Sequence, residues 1–476
     1  MAASNGTTYD VRIWEVRPVV GKTRTTYELR WKVARKARSK SFGTRALANS
    51  RRAELLSAVN RGEPFDVESG LPVSQRRDRT NEISWWEWVL TYVDTKWPTL
   101  APSSRRSMVE ALVTCTIAML DPARRGRPSE AELRSAMTTW AFVPTRRKAG
   151  PPTSERAHRA VAWLAKGTRP VIALDDPTTA RKVLDAVVSK KDGTPAAPTT
   201  IARKRAVLYN VLDLAVEQGI FAAHPLDRIR WKAPKVAEGF DPRSVVNPTQ
   251  ARALLEATRK LGSDAPEATR ADRAARRHGR HLTAFFGCMY YAALRPSEAR
   301  GLRLGNLDLP TGNGWGQLVL EAGDPEISGT WTDGGRRTRR QLKHRALGAI
   351  RLVPCAPALV QLLQEHLDEF GTAPDQSLFR GPAGGRLLSG AYNRAWRDAR
   401  RAVLQDADES PLALRPYDLR HTAVSTWLAA GVPSTQVAAW AGHSVAVLHR
   451  VYAHVVADSQ AVAQGRIDAF LGGIHS

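Results

Sequence analysis

The chain has 476 residues, which is enough for two to four domains with buried cores. Its 71 lysines and arginines outweigh 46 acidic residues to give a formal net charge of +25, and this balance favours a polyanionic partner such as nucleic acid. We expect no membrane span, because no run of about eighteen apolar residues occurs, and no secretion signal. The 3 cysteines lack metal-ligand spacing, so we expect buried thiols in a reducing cytoplasm and no metal site.

Residues 9–45 alternate between apolar and polar side chains, as expected of a sheet with one buried face. In the central run, Trp31 falls on one side, and Arg30 and Lys32 fall on the other. A helical pattern follows this run. The sequence therefore predicts a first domain at residues 1–62, built from three strands and one helix and carrying a basic outer face.

A second, helical domain is predicted at residues 81–232, between linkers at 63–80 and 233–246. Its several tryptophans favour a buried core over a base-stacking surface. One of its helices starts with three basic residues, which are candidate phosphate contacts or part of a solvated helix face: Arg203, Lys204 and Arg205.

A third domain is predicted at residues 247–460, because Asn247 and Pro248 form a typical helix start. The strongly basic segment 270–280 is interpreted as a surface loop. The apolar helix that follows it runs into Arg295, which precedes a proline suited to the first turn of another helix. Short strands are expected at 317–321, 327–331 and 350–354.

Three short helices near the carboxyl end carry Arg420, His443 and Tyr452 beside apolar stripes. An arginine can hold a phosphate, a histidine can donate a second hydrogen bond, and a tyrosine hydroxyl can attack. The three residue types together therefore indicate phosphoryl chemistry.

This carboxy-terminal stretch resembles the conserved boxes of the tyrosine recombinases, or phage-type integrases, and most closely those of actinobacterial mobile elements. Arg420 matches the box arginine, Ala441-Gly-His443-Ser444 matches the second element, and Tyr452 lies nine residues after His443. The segment Leu294-Arg295-Pro-Ser-Glu298 matches the first arginine box. The resemblance implies that Arg295 and Arg420 hold the scissile phosphate, that Glu298 braces an arginine, and that Tyr452 is the nucleophile.

Two further positions belong to the site of the family: the first has a different residue in this chain, and the second has one candidate. The family more often has a histidine that assists proton transfer where this chain has Tyr417, so we expect Tyr417 to play a supporting part. Tyr417 and Tyr452 are both candidate nucleophiles, and the family position favours Tyr452. The family also places a lysine on the hairpin before the last strand, where it protonates the leaving 5′ oxygen. Lys343 is the candidate here.

The resemblance implies a mainly α fold with small β-sheets and a multidomain layout. Residues 1–62 would be an arm-type DNA-binding domain with Arg30 and Lys32 on its DNA face. Residues 81–232 would be a core-binding domain, and residues 247–460 a mixed α+β catalytic domain. The tail, 461–476, would dock on a neighbouring protomer or pack on its own domain.

The implied function is site-specific recombination of DNA through a 3′-phosphotyrosyl intermediate, with integration or excision of a mobile element. No cofactor is expected. The expected partners are double-stranded DNA at core and arm sites, three further copies of the chain in a homotetramer, and a directionality factor. We expect a cytoplasmic protein at the bacterial nucleoid. A type IB-like topoisomerase and a non-catalytic DNA-binding accessory homologue are the alternatives.

Overall fold

The computed structural model of the chain describes residues 6–21, 25–75, 83–190, 192–235, 240–335, 340–341, 348–457, 464–465 and 467–469. The chain divides into two compact units, Met1–Lys235 and Val236–Ser476. The fold is mainly α with small antiparallel sheets, as the sequence predicted. Among the described helices, none is long and apolar enough to cross a bilayer. The finer domain boundaries remain predictions.

The first unit begins with a small antiparallel sheet. Its strands are β1 (Thr7–Thr8), β2 (Val11–Ile13), β3 (Arg17–Val20), β4 (Thr25–Val33), β5 (Lys36–Phe42) and β6 (Phe65–Asp66). The long strand β4 pairs with β5 on one edge and with both β2 and β3 on the other, so the first of the three expected strands is interrupted. The short strands β1 and β6 pair separately.

Strand β4 has the alternation that the sequence predicted. Trp31 and Val33 are buried, together with residues of helix α1 (Arg45–Asn60), whereas Arg30 and Lys32 are exposed. Helix α1 begins where the hydroxyl of Thr44 accepts a hydrogen bond from the backbone of the first turn. The guanidinium of Arg30 lies over the ring of Trp14 on the exposed face, 5.6 Å from its centroid.

The rest of the first unit is helical. Its helices are α2 (Trp85–Lys96), α3 (Pro102–Ala118), α4 (Glu130–Ala136), α5 (Pro144–Ala149), α6 (Glu155–Leu164), α7 (Pro177–Val188) and α8 (Pro198–Glu217). Ser84 and Ser129 start α2 and α4 with reciprocal capping boxes, and proline occupies the first turn of α3, α5, α7 and α8. Trp85, Trp86 and Trp88 are buried, so they belong to the core.

The second unit packs helices around a three-stranded sheet. Its helices are α9 (Pro248–Arg259), α10 (Arg270–Ala292), α11 (Pro296–Arg300), α12 (Pro357–Phe370), α13 (Ser389–Val403), α14 (Pro416–Ala429), α15 (Ser434–Ala441) and α16 (Val445–Ala457). The antiparallel strands β7 (Leu307–Asp308), β8 (Gly316–Leu320) and β11 (Arg351–Cys355) form the sheet, and β9 (Ala322–Gly323) pairs with β10 (Arg340–Gln341).

Two local expectations for this unit were wrong. The segment 270–280 is not a loop but the first half of α10, which a capping box between Thr269 and Asp272 starts. Two of its arginines form ion pairs: Arg276 with Asp264, and Arg280 with Asp264 and Glu369. The segment 327–331 is not a strand, because Gly329–Trp331 forms a single 3₁₀ turn.

Two apolar clusters hold the second unit together. The larger one joins the buried half of α10 to α9, α12, α13 and the sheet. The smaller one packs Val424 of α14, Val437 of α15 and Leu448 of α16 around the ring of Tyr452, with Ala293 at the end of α10. The second cluster therefore brings the last three helices to the carboxyl end of α10, where Arg295 follows.

Candidate active site

Arg295 occupies the turn between α10 and α11. Its backbone N–H donates to Glu298 Oε2 over 2.8 Å, and its Nη1 donates to Glu298 Oε1 over 2.7 Å. Its Nη2 donates to the carbonyl oxygen of Gly442 over 2.9 Å. Gly442 lies 147 residues after Arg295 in the chain. The first arginine box is therefore tied directly to the second carboxy-terminal element.

Glu298 is the acidic centre of the site and is only 3% exposed. Arg351, from β11, donates to both carboxylate oxygens over 3.0 and 2.7 Å, and a nitrogen of Arg420 lies 3.9 Å from Oε2. Burial by itself raises the pKa of Glu298, but the charge and hydrogen bonds of Arg351, followed by the charges of Arg295 and Arg420, outweigh it and lower the pKa to about 2. One carboxylate thus holds three guanidinium groups.

Arg420 lies in α14 and is completely buried. Its Nη1 donates to the carbonyl of Ala293, and its Nη2 donates to the carbonyl of Ala441 over 2.6 Å. Ala293 has a left-handed backbone, with φ of 49°, which ends α10 and turns its carbonyl towards the arginine. Burial and the nearby Arg295 charge lower the pKa of Arg420 to about 10, so the guanidinium stays protonated at neutral pH.

His443 follows α15 and faces Arg420. Its Nε2 accepts a hydrogen bond of 2.7 Å from Arg420 Nη2, so the proton of the neutral ring is on Nδ1. Burial, followed by the charges of Arg420 and Arg295, lowers the pKa of His443 to about 3. Among the described residues, His443 Nδ1 and Arg420 Nε are buried atoms that have no hydrogen-bond partner.

Gly442 makes the turn between α15 and His443 possible. Its φ is +66°, in the left-handed region that favours glycine, and it ends α15. A Cβ atom at this position would collide with the guanidinium of Arg351 and would come within 3.4 Å of Arg295 Nη1. The arginines of the site therefore pack directly against the backbone of Gly442.

Tyr452 lies in α16 at a local break of the helix, with φ of −117° and ψ of 22°. Its side chain is fully buried, and burial raises the pKa of the hydroxyl, although the charges of Arg420 and Arg295 oppose this rise. The hydroxyl lies 2.9 Å from Nδ1 of His421. Phe240 covers both rings, at 4.4 Å from the centroid of His421 and 5.1 Å from that of Tyr452.

Tyr417 stands at the first turn of α14 and is partly buried. Its ring meets the ring of His421 edge to face, with 5.2 Å between the centroids. It also lines an open cavity of about 480 Å³ on the side of Arg415 and Arg397. Tyr417 thus flanks the site next to His421.

The structure places the remaining candidate residues as follows. Lys343 lies outside the described residues, as does most of the tail at 461–476. Arg203 forms an ion pair with Glu110 in the first unit, and Lys204 is partly buried, so burial lowers its pKa. The guanidinium of Arg205 lies over the ring of Trp231, 4.9 Å from its centroid. Arg203 is the most exposed of these three basic side chains.

Sequence reasoning missed Arg351 and His421. Arg351 lies in a strand that the sequence predicted, but nothing in the sequence pattern indicated that its guanidinium binds Glu298, 53 residues earlier. His421 is the neighbour of Arg420 in the sequence, and this adjacency was a signal that could have found it. Its contact with Tyr452 spans 31 residues and depends on how α14 packs against α16.

The arrangement is suited to binding an anion beside a hydroxyl group. Three guanidinium groups surround one carboxylate, which leaves an excess of positive charge in a largely buried position. Arginine forks favour phosphate oxygens, and His443 Nδ1 offers another donor. Among the described residues, no cluster of three or more histidine, cysteine or acidic side chains suits a metal ion.

Comparison with known proteins gives one match to a family. Residues 246–458 match the model of the phage integrase family. The comparison with curated proteins finds no match. Among solved structures, the chain is similar to an integrase of the Tn1549 transposon in complex with a circular intermediate DNA, at 17% identity and a TM-score of 0.46, over 67% of this chain and 96% of that one.

Two further solved structures are similar over a larger share of the chain. One is the XerH site-specific recombinase bound to its difH substrate, at 12% identity and a TM-score of 0.43, over 77% of this chain and 90% of that one. The other is a lambda integrase dimer bound to a COC′ core site, at 12% identity and a TM-score of 0.40, over 90% of this chain and 91% of that one.

Proposed function

Because the chain belongs, through residues 246–458, to the phage integrase family of tyrosine recombinases, we propose that it is a site-specific DNA recombinase whose nucleophile is Tyr452. It cuts and rejoins DNA through a 3′-phosphotyrosyl link. The observation that carries this assignment is the convergence of Arg295, Arg420 and His443 on one anion-binding cluster beside a buried tyrosine hydroxyl.

In the cleavage step, the Tyr452 oxygen attacks the scissile phosphorus and the 5′ oxygen of the next nucleotide leaves. Charge builds on the non-bridging oxygens, and Arg295 and Arg420 neutralise it. Losing one such contact typically costs on the order of 3 kcal/mol of barrier. His443 donates a hydrogen bond to the phosphate, Tyr417 supports the site from its flank, and Lys343 protonates the leaving oxygen.

The phosphotyrosyl link keeps the energy of the broken ester. A 5′ hydroxyl from another duplex can therefore reseal the strand, and the reaction consumes no nucleotide cofactor. Exchange between two duplexes requires four active sites, so the working assembly is a homotetramer on DNA. A separate directionality factor selects integration or excision of the mobile element, in the cytoplasm at the nucleoid.

DNA contacts outside the active site come from the first unit. Arg30 and Lys32 are exposed on the outer face of the sheet, in the arm-type domain at residues 1–62. Arg203 is the exposed member of the basic run on α8, in the core-binding domain at 81–232, and Lys204 and Arg205 reinforce the positive charge beside it. Contacts of this kind bind phosphates and position the duplex without reading its sequence.

The test is the capture of a covalent protein–DNA adduct. The protein is incubated with plasmid DNA that carries the sequence flanking its own gene, denatured, and examined for DNA attached to the polypeptide. We expect an adduct that disappears in Tyr452→Phe and persists in Tyr417→Phe. Mapping the attached end would identify the cleaved phosphodiester.

Two other results would replace the proposal. Relaxation of a plasmid that lacks any attachment site, with no strand exchange, would indicate a type IB-like topoisomerase. Tight DNA binding without an adduct would indicate an accessory homologue.

A further inference from the structure

The hydroxyl of Tyr452 already has a partner that can accept its proton. Nδ1 of His421 lies 2.9 Å from the tyrosine oxygen, within normal hydrogen-bond distance. The imidazole is neutral, because burial and then the charges of Arg420 and Arg415 lower the pKa of His421 to about 4. In the tautomer of the neutral ring that has its proton on Nε2, Nδ1 accepts the hydrogen bond of the hydroxyl and can take its proton.

The orientation of this imidazole is fixed by aromatic contacts on two sides. The ring of Phe240 stacks on it at 4.4 Å with an angle of 16° between the planes. The ring of Tyr417 meets it edge to face at 5.2 Å. Phe240 also packs against Tyr452, so one residue positions both partners of the hydrogen bond.

We propose that His421 is the general base that activates Tyr452, an inference that rests on the proposed function. As the bond between the Tyr452 oxygen and phosphorus forms, the tyrosine O–H bond breaks and its proton moves to Nδ1 of His421. The bond from phosphorus to the 5′ oxygen breaks at the same time. The leaving oxygen keeps the electron pair of that bond and receives a proton from Lys343. In rejoining, the attacking 5′ hydroxyl gives its proton to the neutral amine of Lys343, and the imidazolium returns its proton to the departing Tyr452 oxygen.

Tyr417, although it stands where the resemblance places a histidine, is a poor candidate for this role. A phenol is a weak base at neutral pH. Its ring packs edge to face on His421, and it also interacts electrostatically with Arg420 and Tyr452. In this chain the proposed base is therefore not at the position where the family more often has its histidine. Tyr417 occupies that position, and His421 lies one turn further along α14.

Binding of the substrate strengthens the base. The titratable groups that face His421 carry positive charge or none: Arg415 just before α14, Tyr417 and Arg420 in α14, His443 after α15, and Tyr452 in α16. A phosphodiester anion held by the arginines offsets their charges, which raises the pKa of the imidazole. Bound DNA therefore increases the proton affinity of His421.

The test measures the rate of adduct formation in a single turnover on the DNA site mapped with the wild-type protein. Two substrates are compared: the natural phosphodiester, and one with sulfur in place of the leaving 5′ oxygen, which departs without being protonated. The variants are His421→Asn, which keeps a hydrogen-bonding group near the hydroxyl but cannot act as a base, and His421→Ala. The matched control is His449→Asn, at an exposed histidine of α16.

We expect His421→Asn to slow adduct formation about a hundredfold or more on both substrates, the usual size of a general-base contribution. Its rate should continue to rise with pH where the wild-type rate has levelled off, because the tyrosine must ionise unaided. Added imidazole should partly restore His421→Ala. His449→Asn should match the wild type.

Three outcomes would overturn the inference. A His421→Asn rate within a few-fold of wild type would reduce His421 to a positioning residue. A wild-type rate of adduct formation by His421→Asn on the sulfur substrate would show that His421 protonates the leaving group. Absence of an adduct with the wild-type protein would refute the proposed function, and the inference would fall with it.

Discussion

Glu298 is expected to be essential for the stability of the second unit. Glu298→Gln removes the one negative charge shared by Arg295, Arg351 and Arg420 while keeping the shape of the side chain. The gap between a pKa of about 2 in the fold and the ordinary 4.5 corresponds to about 3 kcal/mol of stability near pH 7, at about 1.4 kcal/mol per tenfold change. Breaking one partner of a buried ion pair typically costs a similar amount, about 3–5 kcal/mol.

The pH dependence of this effect has a definite sign. Because the pKa of Glu298 is lowered by folding, its contribution is complete above about pH 4.5 and is lost as the pH falls from there towards about 2. The difference in the free energy of unfolding between wild type and Glu298→Gln should therefore be constant from pH 7 to about 5 and should narrow below that.

Urea unfolding of the full-length protein, read by pulsed hydrogen exchange in β11 and the buried half of α10, reports on the second unit alone. The matched control is Glu256→Gln, which removes a half-exposed ion pair with Lys260 and should cost less than about 0.5 kcal/mol. If Glu298→Gln costs no more than this control, or if its cost does not change below pH 4.5, the account of the arginine cluster given above is wrong.

Two further predictions concern the same unit. Gly442→Ala should slow adduct formation at least a hundredfold, because the new Cβ strains a backbone at φ +66° and displaces Arg351. The control Gly305→Ala, where the new Cβ meets open space, should keep the wild-type rate. Equal rates of adduct formation in the two variants would refute the packing argument. His281 is buried, and burial followed by the charge of His366 lowers its pKa to about 3. Because the unfolded chain then binds more protons than the folded chain, the free energy of unfolding falls as the pH drops below about 6.5. His281→Gln should reduce that slope by up to about 1.4 kcal/mol per pH unit in urea unfolding, and a variant with the wild-type slope would contradict this account of His281.

The sequence by itself determined the features that depend on residues close together in the chain. The alternation in β4, the cap of α9 and the buried tryptophans of the first unit follow from spacing and residue type, and the structure has them. Short motifs likewise singled out Arg295, Arg420, His443 and Tyr452, because each motif is contained in a few turns of chain. Their roles in catalysis remain predictions for the adduct experiment.

Tertiary structure alone decided the contacts between distant segments. The basic composition of segment 270–280 led to the prediction of a surface loop, yet the segment is helical and Arg280 forms ion pairs with Asp264 and Glu369. Arg351 joins Glu298 across 53 residues, and His421 meets Tyr452 only because α14 packs against α16. Sequence patterns record periodicity along one element, whereas the partner of a buried charge or hydroxyl depends on how the elements pack, and that packing is what brings a base to the nucleophile.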